Sequence, residues 1–212
     1  MQTAMVLYPG MTALDIVGPY EVLSRLPGAS VVFTAAKPGP VTTDTGSLTL
    51  TATAGFSAVP SPDIVVVPGG PDVAAQVGDA PLHEWLQAVD AGATWMTSVC
   101  TGSLILAAAG LLRGRPATSH WLVTERLRSY GARPVSERVV LDGKYATAAG
   151  VSAGIDLALT LAGRIAGARV AQTIQLAIEY DPRPPFAAGS PATAPPEVVG
   201  FLRANPSLVV SS

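Results

Sequence analysis

The chain has a single cysteine, Cys100, in the stretch Trp95-Met96-Thr97-Ser98-Val99-Cys100-Thr101-Gly102-Ser103-Leu104. An apolar run precedes it and a segment rich in Leu, Ile and Ala follows. The thiol therefore falls in the sharp turn between a central strand and a helix reading from Ser103 to Leu112. The positive end of a helix favours thiolate over thiol, and the thiolate is the nucleophile. Gly102 allows close backbone approach, Thr101 and Ser103 bring hydroxyls, and the N–H after the nucleophile is placed to bind an oxyanion. The competing reading is a small buried hydrophobe, the usual role of a lone intracellular cysteine, and the turn context outweighs it.

Three further features bear on the thiol. Asp15 is a carboxylate in the otherwise apolar Thr12-Ala13-Leu14-Asp15-Ile16-Val17-Gly18-Pro19. With Thr12 it has capping-box spacing, Asp standing for the usual Glu or Gln, which accounts for it as a helix-start residue. If it faces Cys100 instead, burial and a neighbouring thiolate both raise its pKa and make it a proton donor. Pro68-Gly69-Gly70-Pro71 follows the run Asp63 to Val67, and its glycines serve as a turn leaving the sheet. Alternatively the Gly70 N–H joins that of Thr101 in a two-donor pocket for an adduct at Cys100. His120, in Ala117-Thr118-Ser119-His120-Trp121, reads either as partner to the cysteine or as a packing residue beside Trp121. His83, early in a surface helix, receives no role.

These residues need a scaffold. Ala4 to Tyr8, Val31 to Ala35, Ile64 to Val67 and Thr94 to Val99 read as strands, and Pro19 to Leu26 and Leu82 to Ala91 as helices. The second helix has Asp79 as its N-cap and Pro81 in its first turn. Arg138 to Leu141 and Lys144 to Thr147, joined by Asp142-Gly143, form a hairpin and make the sheet mixed. Helices follow from about Ala153 to Ala166 and Arg169 to Tyr180. The expected architecture is an α/β sandwich over residues 1–181, with a mostly parallel sheet, helices on both faces and ligands at the carboxyl ends of the strands. Residues 182–212 form a Pro/Ala-rich tail, docked on the domain or on a dimer partner through Phe186, Val198, Val199, Phe201 and Leu202.

Composition narrows the function classes. The 212 residues are 49% hydrophobic and 13% charged with a net charge of −2, which suits one globular domain and offers no basic field for nucleic acid. Leu104 to Leu112 and Ile155 to Ala162 are too short to span a bilayer. One cysteine, two histidines and no clustered carboxylates give no recognisable metal set, and a cofactor-free site is expected. No signal-peptide pattern opens the chain, and a cytoplasmic location is the default expectation.

Taken together, Leu14-Asp15-Ile16-Val17-Gly18-Pro19, Pro68-Gly69-Gly70, Thr97 to Ser103 and Ala117 to Trp121 resemble the ThiJ/PfpI branch of the class I glutamine-amidotransferase-like superfamily. Gly154-Ile155-Asp156, Glu179-Tyr180 and Pro184-Pro185-Phe186 extend the likeness. Within that branch the chain looks most like the members that hydrate isocyanides. The resemblance implies a flavodoxin-like three-layer sandwich, a homodimer and cofactor-free conversion of a small isocyanide to an N-formamide. Cys100 would form a thioimidate, Asp15 would govern the proton and Thr101 would orient the thiolate. Gly70, Gly150, Val151 and His120 would bind the substrate and the charge developing on it. The stretch Thr147-Ala148-Ala149-Gly150-Val151 departs from a glycine-rich pattern, so a shift of the following helix during turnover would be stiffer here. The competing functions are a ligand or redox sensor, like the sensor half of AraC-type regulators, and a glyoxalase- or deglycase-like hydrolase. A peptidase is disfavoured because Thr101 stands where those relatives carry His.

Overall fold

The computed structural model of the chain describes residues 1–210. Its strands are β1 (Gln2–Val6), β2 (Ser30–Ala35), β3 (Gly39–Thr42), β4 (Thr49–Ala52), β5 (Ala54–Gly55), β6 (Ile64–Val67), β7 (Trp95–Val99), β8 (Pro116–Ala117), β9 (Arg133–Pro134), β10 (Val139–Asp142) and β11 (Tyr145–Ala148). Its helices are α1 (Ala13–Leu23), α2 (Ala74–Val77), α3 (Ala80–Asp90), α4 (Gly102–Ala108), α5 (Ala153–Ala166), α6 (Ala168–Ala177) and α7 (Pro196–Ala204).

Seven strands form one sheet in the order β10-β11-β7-β6-β1-β2-β5. Every pairing in it is parallel except β10 with β11. The central strands are covered on both faces: Ile64–Val67 is an uninterrupted apolar run, and Tyr145–Ala148 is likewise buried at every position, Thr147 included. Helices lie on both faces, giving the expected flavodoxin-like three-layer sandwich. On one side α1 packs on α5; elsewhere α3 packs on α4, which in turn lies on β6 and β7.

From β1 the chain moves through α1 to β2 on one side, and from β6 through α3 to β7 on the other. The loops leaving β1, β6 and β7 therefore converge at a switch point, where a doubly wound sheet opens a crevice at its carboxyl edge. They carry Pro68-Gly69-Gly70 and Cys100, and the loop leaving β1 leads into the first turn of α1, which carries Asp15.

Several local expectations shift. Helix α1 begins at Ala13, ahead of Pro19, and keeps Pro19 in its interior. The reason lies in packing: Gly18 and Pro19 form the seat for α5, where a Cβ on Gly18 would come within 3.0 Å of Ile155 and one on Gly154 within 3.2 Å of Pro19. Helix α4 spans seven residues and stops at Ala108, with Gly110 at φ +82° turning the chain away before Leu112. The hairpin pairs Asp142 with Tyr145, so its two-residue loop is Gly143-Lys144, one position later than expected. Gly143, at φ +60°, takes the first loop position that a type II′ turn reserves for glycine. The Asp79 cap is as expected, its Oδ1 accepting the Leu82 N–H at 3.2 Å.

The tail leaves Tyr180, crosses exposed residues to α7, and brings Val210, the last described residue, to a buried position against the domain. Phe186, Val198 and Phe201 do not dock on this chain and are 77%, 43% and 58% exposed; Val209 and Val210 pack on the core in their stead. No helix among the described residues is long and apolar enough to cross a membrane.

Candidate functional site

Cys100 occupies the turn between β7 and α4 at φ +57°, a left-handed conformation that costs a residue with a Cβ about 1 kcal/mol. Its neighbours hold it there. The Cys100 N–H is shared between the carbonyls of Ala148 and Ala149, both at 3.0 Å. Its carbonyl accepts the hydroxyls of Ser103 at 3.2 Å and Ser119 at 3.1 Å. Sγ thereby lies beside the N–H groups of Thr101 and Val151 and beside the Thr101 side chain, each of which acts to lower the thiol's pKa.

Glycines permit this closeness. A Cβ on Gly69 would lie 2.5 Å from the Thr101 nitrogen and 3.0 Å from the Cys100 Cβ, and one on Gly102 would lie 2.3 Å from the Val67 carbonyl. Gly69 also joins the loop leaving β1. Its carbonyl accepts the Thr12 N–H at 2.9 Å, and its N–H donates to Asp15 Oδ2 at 2.8 Å. Asp15, from the first turn of α1, and Cys100, from the turn after β7, therefore press against the same glycine.

The capping-box alternative for Asp15 fails. The Thr12 hydroxyl donates to Asp44 Oδ2 at 2.7 Å and makes no cap bond, while Asp15 is fully buried with its carboxylate turned to Gly69. Asp15 Oδ1 has no hydrogen-bond partner. Burial drives the carboxyl up from 3.8 to about 7, against the Gly69 N–H, which lowers it.

The thiol is corrected in the opposite sense from the sequence reading. Burial first, and the charge of Asp15 second, push Cys100 up to about 12, outweighing the N–H groups of Thr101 and Val151 that lower it. Burial thus favours the thiol over the thiolate in the resting site. A seven-residue helix and two amide donors do not offset the loss of water around a cysteine that is 4% exposed.

Gly70 is corrected as well. Its N–H donates to Thr101 Oγ1 at 2.8 Å, and Thr101 Oγ1 lies 2.8 Å from the Gly70 carbonyl, to which it donates. The amide expected to face an adduct instead fixes the Thr101 side chain, and Val151 supplies the second N–H beside the sulfur. Val151 does so from φ +26°, a strained value for a β-branched residue.

His120 is buried, and burial lowers its pKa, which favours the neutral ring. Its Nδ1 accepts the Leu122 N–H at 3.4 Å, which leaves the ring proton on Nε2. Gly150 makes room for it: a Cβ there would sit 2.8 Å from His120 Cδ2. Both residues line a cavity of about 630 Å³ with Val151, Trp121 and Leu14. Exposed tail residues Gly189 to Ala192 and Arg203 close its far side.

The sequence reading overlooked Tyr8 and Ser119. Tyr8, just past β1, is buried with its hydroxyl donating to the Pro68 carbonyl at 2.8 Å. Burial, followed by the charges of Asp15, Cys100 and Asp44, raises its pKa well above the usual value. Its place after a central strand was the available signal; for Ser119, whose partner is a distant carbonyl, there was none. Among the described residues no group of His, Cys, Asp and Glu side chains is arranged to hold a metal ion.

Comparison with known proteins shows the family to which this fold belongs. The isonitrile hydratase of Pseudomonas putida is 46% identical over 210 residues, covering 98% of this chain and 92% of that protein. The HTH-type transcriptional regulator CdhR of Pseudomonas aeruginosa is 38% identical over 92 residues, 42% of this chain and 27% of the regulator. A ThiJ/PfpI family protein from Pseudomonas syringae superposes with a TM-score of 0.93 at 42% identity, over 96% of this chain and 85% of that one. Residues 1–164, which hold Asp15, Gly69, Cys100, Thr101, Gly150 and Val151, match the DJ-1/PfpI family, and the chain belongs to it.

Proposed function

We propose that the protein hydrates an isocyanide, R–N≡C, to the N-formamide R–NH–CHO through a thioimidate on Cys100. The observation that carries this reading is the meeting of Asp15 and Cys100 at Gly69, in a chain similar along nearly its whole length to an isonitrile hydratase; neither residue lines the cavity itself, which reaches the sulfur through Val151.

The terminal carbon of an isocyanide accepts both a nucleophile and a proton. In the first step the Cys100 S–H adds across that carbon: a C–S bond and a C–H bond form, giving R–N=CH–S-Cys100. Asp15 relays the proton from sulfur to carbon, the unpartnered Oδ1 being the free position for it. Water then adds to the C=N bond, its oxygen to carbon and a proton to nitrogen. Collapse of the tetrahedral species breaks the C–S bond, and the hydroxyl proton returns to sulfur through Asp15. Thiol and water supply every atom, so no cofactor enters.

Thr101 and Val151 stabilise sulfur as it becomes anionic, because their amides already point at it. Gly70 positions Thr101. His120 Nε2–H is a donor for the substrate in the cavity. In this reading the protein is a cytoplasmic homodimer, and exposed Leu176, Phe186 and Phe201 are the apolar surface a second copy would cover.

The test is formamide production from an aryl isocyanide, followed by NMR for the wild type, Cys100→Ala and Asp15→Asn, each checked for folding. Turnover by the wild type and its loss in both variants is expected. A well-folded wild type that produces no formamide would overturn the reading.

A further inference from the structure

The residues that would do the chemistry all lie within 1–164, yet the far wall of the cavity does not. Gly189 to Ala192 and Arg203 come from the segment after the part that matches the family. A reacting N≡C group needs only the floor, next to Gly150 and Val151. About 630 Å³ leaves room for a large R group, whose distal end meets the tail.

Three charged side chains line this space: Glu137, Arg138 and Arg203. Arg138 is committed, with Nε donating to Asp156 at 2.6 Å and Nη2 to Ser152 at 3.3 Å. Glu137 makes no ion pair or hydrogen bond among the described residues, and no contact there fixes its direction. Arg203 likewise has no carboxylate partner among the described residues, but its guanidinium lies over the Trp121 ring at 5.9 Å. An aromatic face under a guanidinium orients it while leaving the N–H edges free, and that fork fits a carboxylate. A held cation discriminates better than a free-swinging anion, because less side-chain entropy is lost on binding.

Building on the hydratase reading, we propose that Arg203, braced on Trp121, makes this site selective for isocyanides that carry a carboxylate at the end distal to the N≡C group. An aryl carrier places a flat ring along Trp121 and a carboxylate at Arg203, with the isocyanide carbon reaching toward Cys100. The selectivity belongs to the tail and the chemistry to the family domain.

The experiment compares phenyl isocyanide, 4-isocyanobenzoate and 4-(trimethylammonio)phenyl isocyanide on the wild type, Arg203→Gln and Glu137→Gln, with melting temperatures as the folding control. The wild type is expected to favour the benzoate over phenyl isocyanide in kcat/KM by about two- to fivefold, the upper part of the range of an exposed charge pair. The advantage should lie in KM, shrink with added salt, vanish in Arg203→Gln and persist in Glu137→Gln. Equal kcat/KM for neutral and anionic substrates would overturn the proposal, as would preference for the cation abolished by Glu137→Gln. Absence of turnover with all three substrates would instead overturn the hydratase reading on which it rests.

Discussion

Asp15 is bonded on one oxygen only: Oδ2 accepts the Gly69 N–H at 2.8 Å, while Oδ1 meets no donor in a fully buried setting. A charged carboxylate in that position has lost its water and gained one hydrogen bond, so burial favours the neutral, protonated carboxyl. The carboxyl moves from 3.8 to about 7, which weighs on the order of 4 kcal/mol against the fold once the group is fully ionised. The sign follows from linkage: native Asp15 holds its proton longer than the unfolded chain does. Stability from this group is intact below pH 4, is lost as pH rises toward 7, and stays lost above it. Asp15→Asn is therefore expected to melt several degrees higher than the wild type at pH 8, with the gap closing toward pH 4. Thermal unfolding across that range checks it, and a variant less stable at pH 8 would count against the burial argument.

The same pair sets the reactivity of the sulfur. With Cys100 near 12 and Asp15 near 7, the form competent for S–H addition is the pair carrying one proton, which prevails above pH 7. The kcat/KM for hydration should rise on an ascending limb near pH 7 and then level. Alkylation of the resting thiol by iodoacetamide should be slow at pH 7 and keep climbing through pH 9. Asp15→Asn removes a charge that holds the thiol proton, so its alkylation should shift to lower pH. A wild-type alkylation plateau below pH 7 would show a resting thiolate and contradict the burial of Sγ.

Gly150 and His120 are a tight pair, since a Cβ at position 150 would stand 2.8 Å from His120 Cδ2. Gly150→Ala must displace the imidazole or the turn that carries the Val151 N–H. A fall in kcat/KM of about tenfold or more is expected, because displacements near 1 Å at a site carry costs of that order. The stability loss should stay within about 1–3 kcal/mol, the usual range for overpacking. Wild-type kinetics in Gly150→Ala would remove His120 from the substrate side.

Deleting the chain after Asp181 removes the far wall of the cavity and the buried Val210. Loss of one buried valine alone corresponds to about 1.5–3 kcal/mol. Lower stability and a raised KM for bulky isocyanides are expected, read by denaturant melts and by initial rates. An unaffected truncation would detach the tail from the site.

Strands were more legible in the sequence than the contacts between loops. Ile64–Val67 was read to the residue because a strand covered on both faces is a pure apolar run bounded by Asp63 and Pro68. Ala153–Ala166 was equally clear, with helical periodicity ending at Gly167. The start of α1 was not, because Gly18-Pro19 reads as a boundary until one sees the helix passing through it to seat α5. At the site, Cys100 and Asp15 stood out as reactive types in apolar surroundings. Which amide faces the sulfur was hidden, since Gly70 and Val151 compete through contacts between loops far apart in sequence. The state of the thiol was misjudged for a related reason: a helix start is visible in a sequence, whereas the water it excludes is not.

The most direct test of the covalent account is intact-protein mass spectrometry after rapid mixing of the wild type with an aryl isocyanide and acid quench. A transient mass increase equal to the whole isocyanide, mapped to the peptide containing Cys100 and decaying as formamide appears, is expected. Formamide formed at the same rate by Cys100→Ala, with no adduct on the wild type, would contradict it.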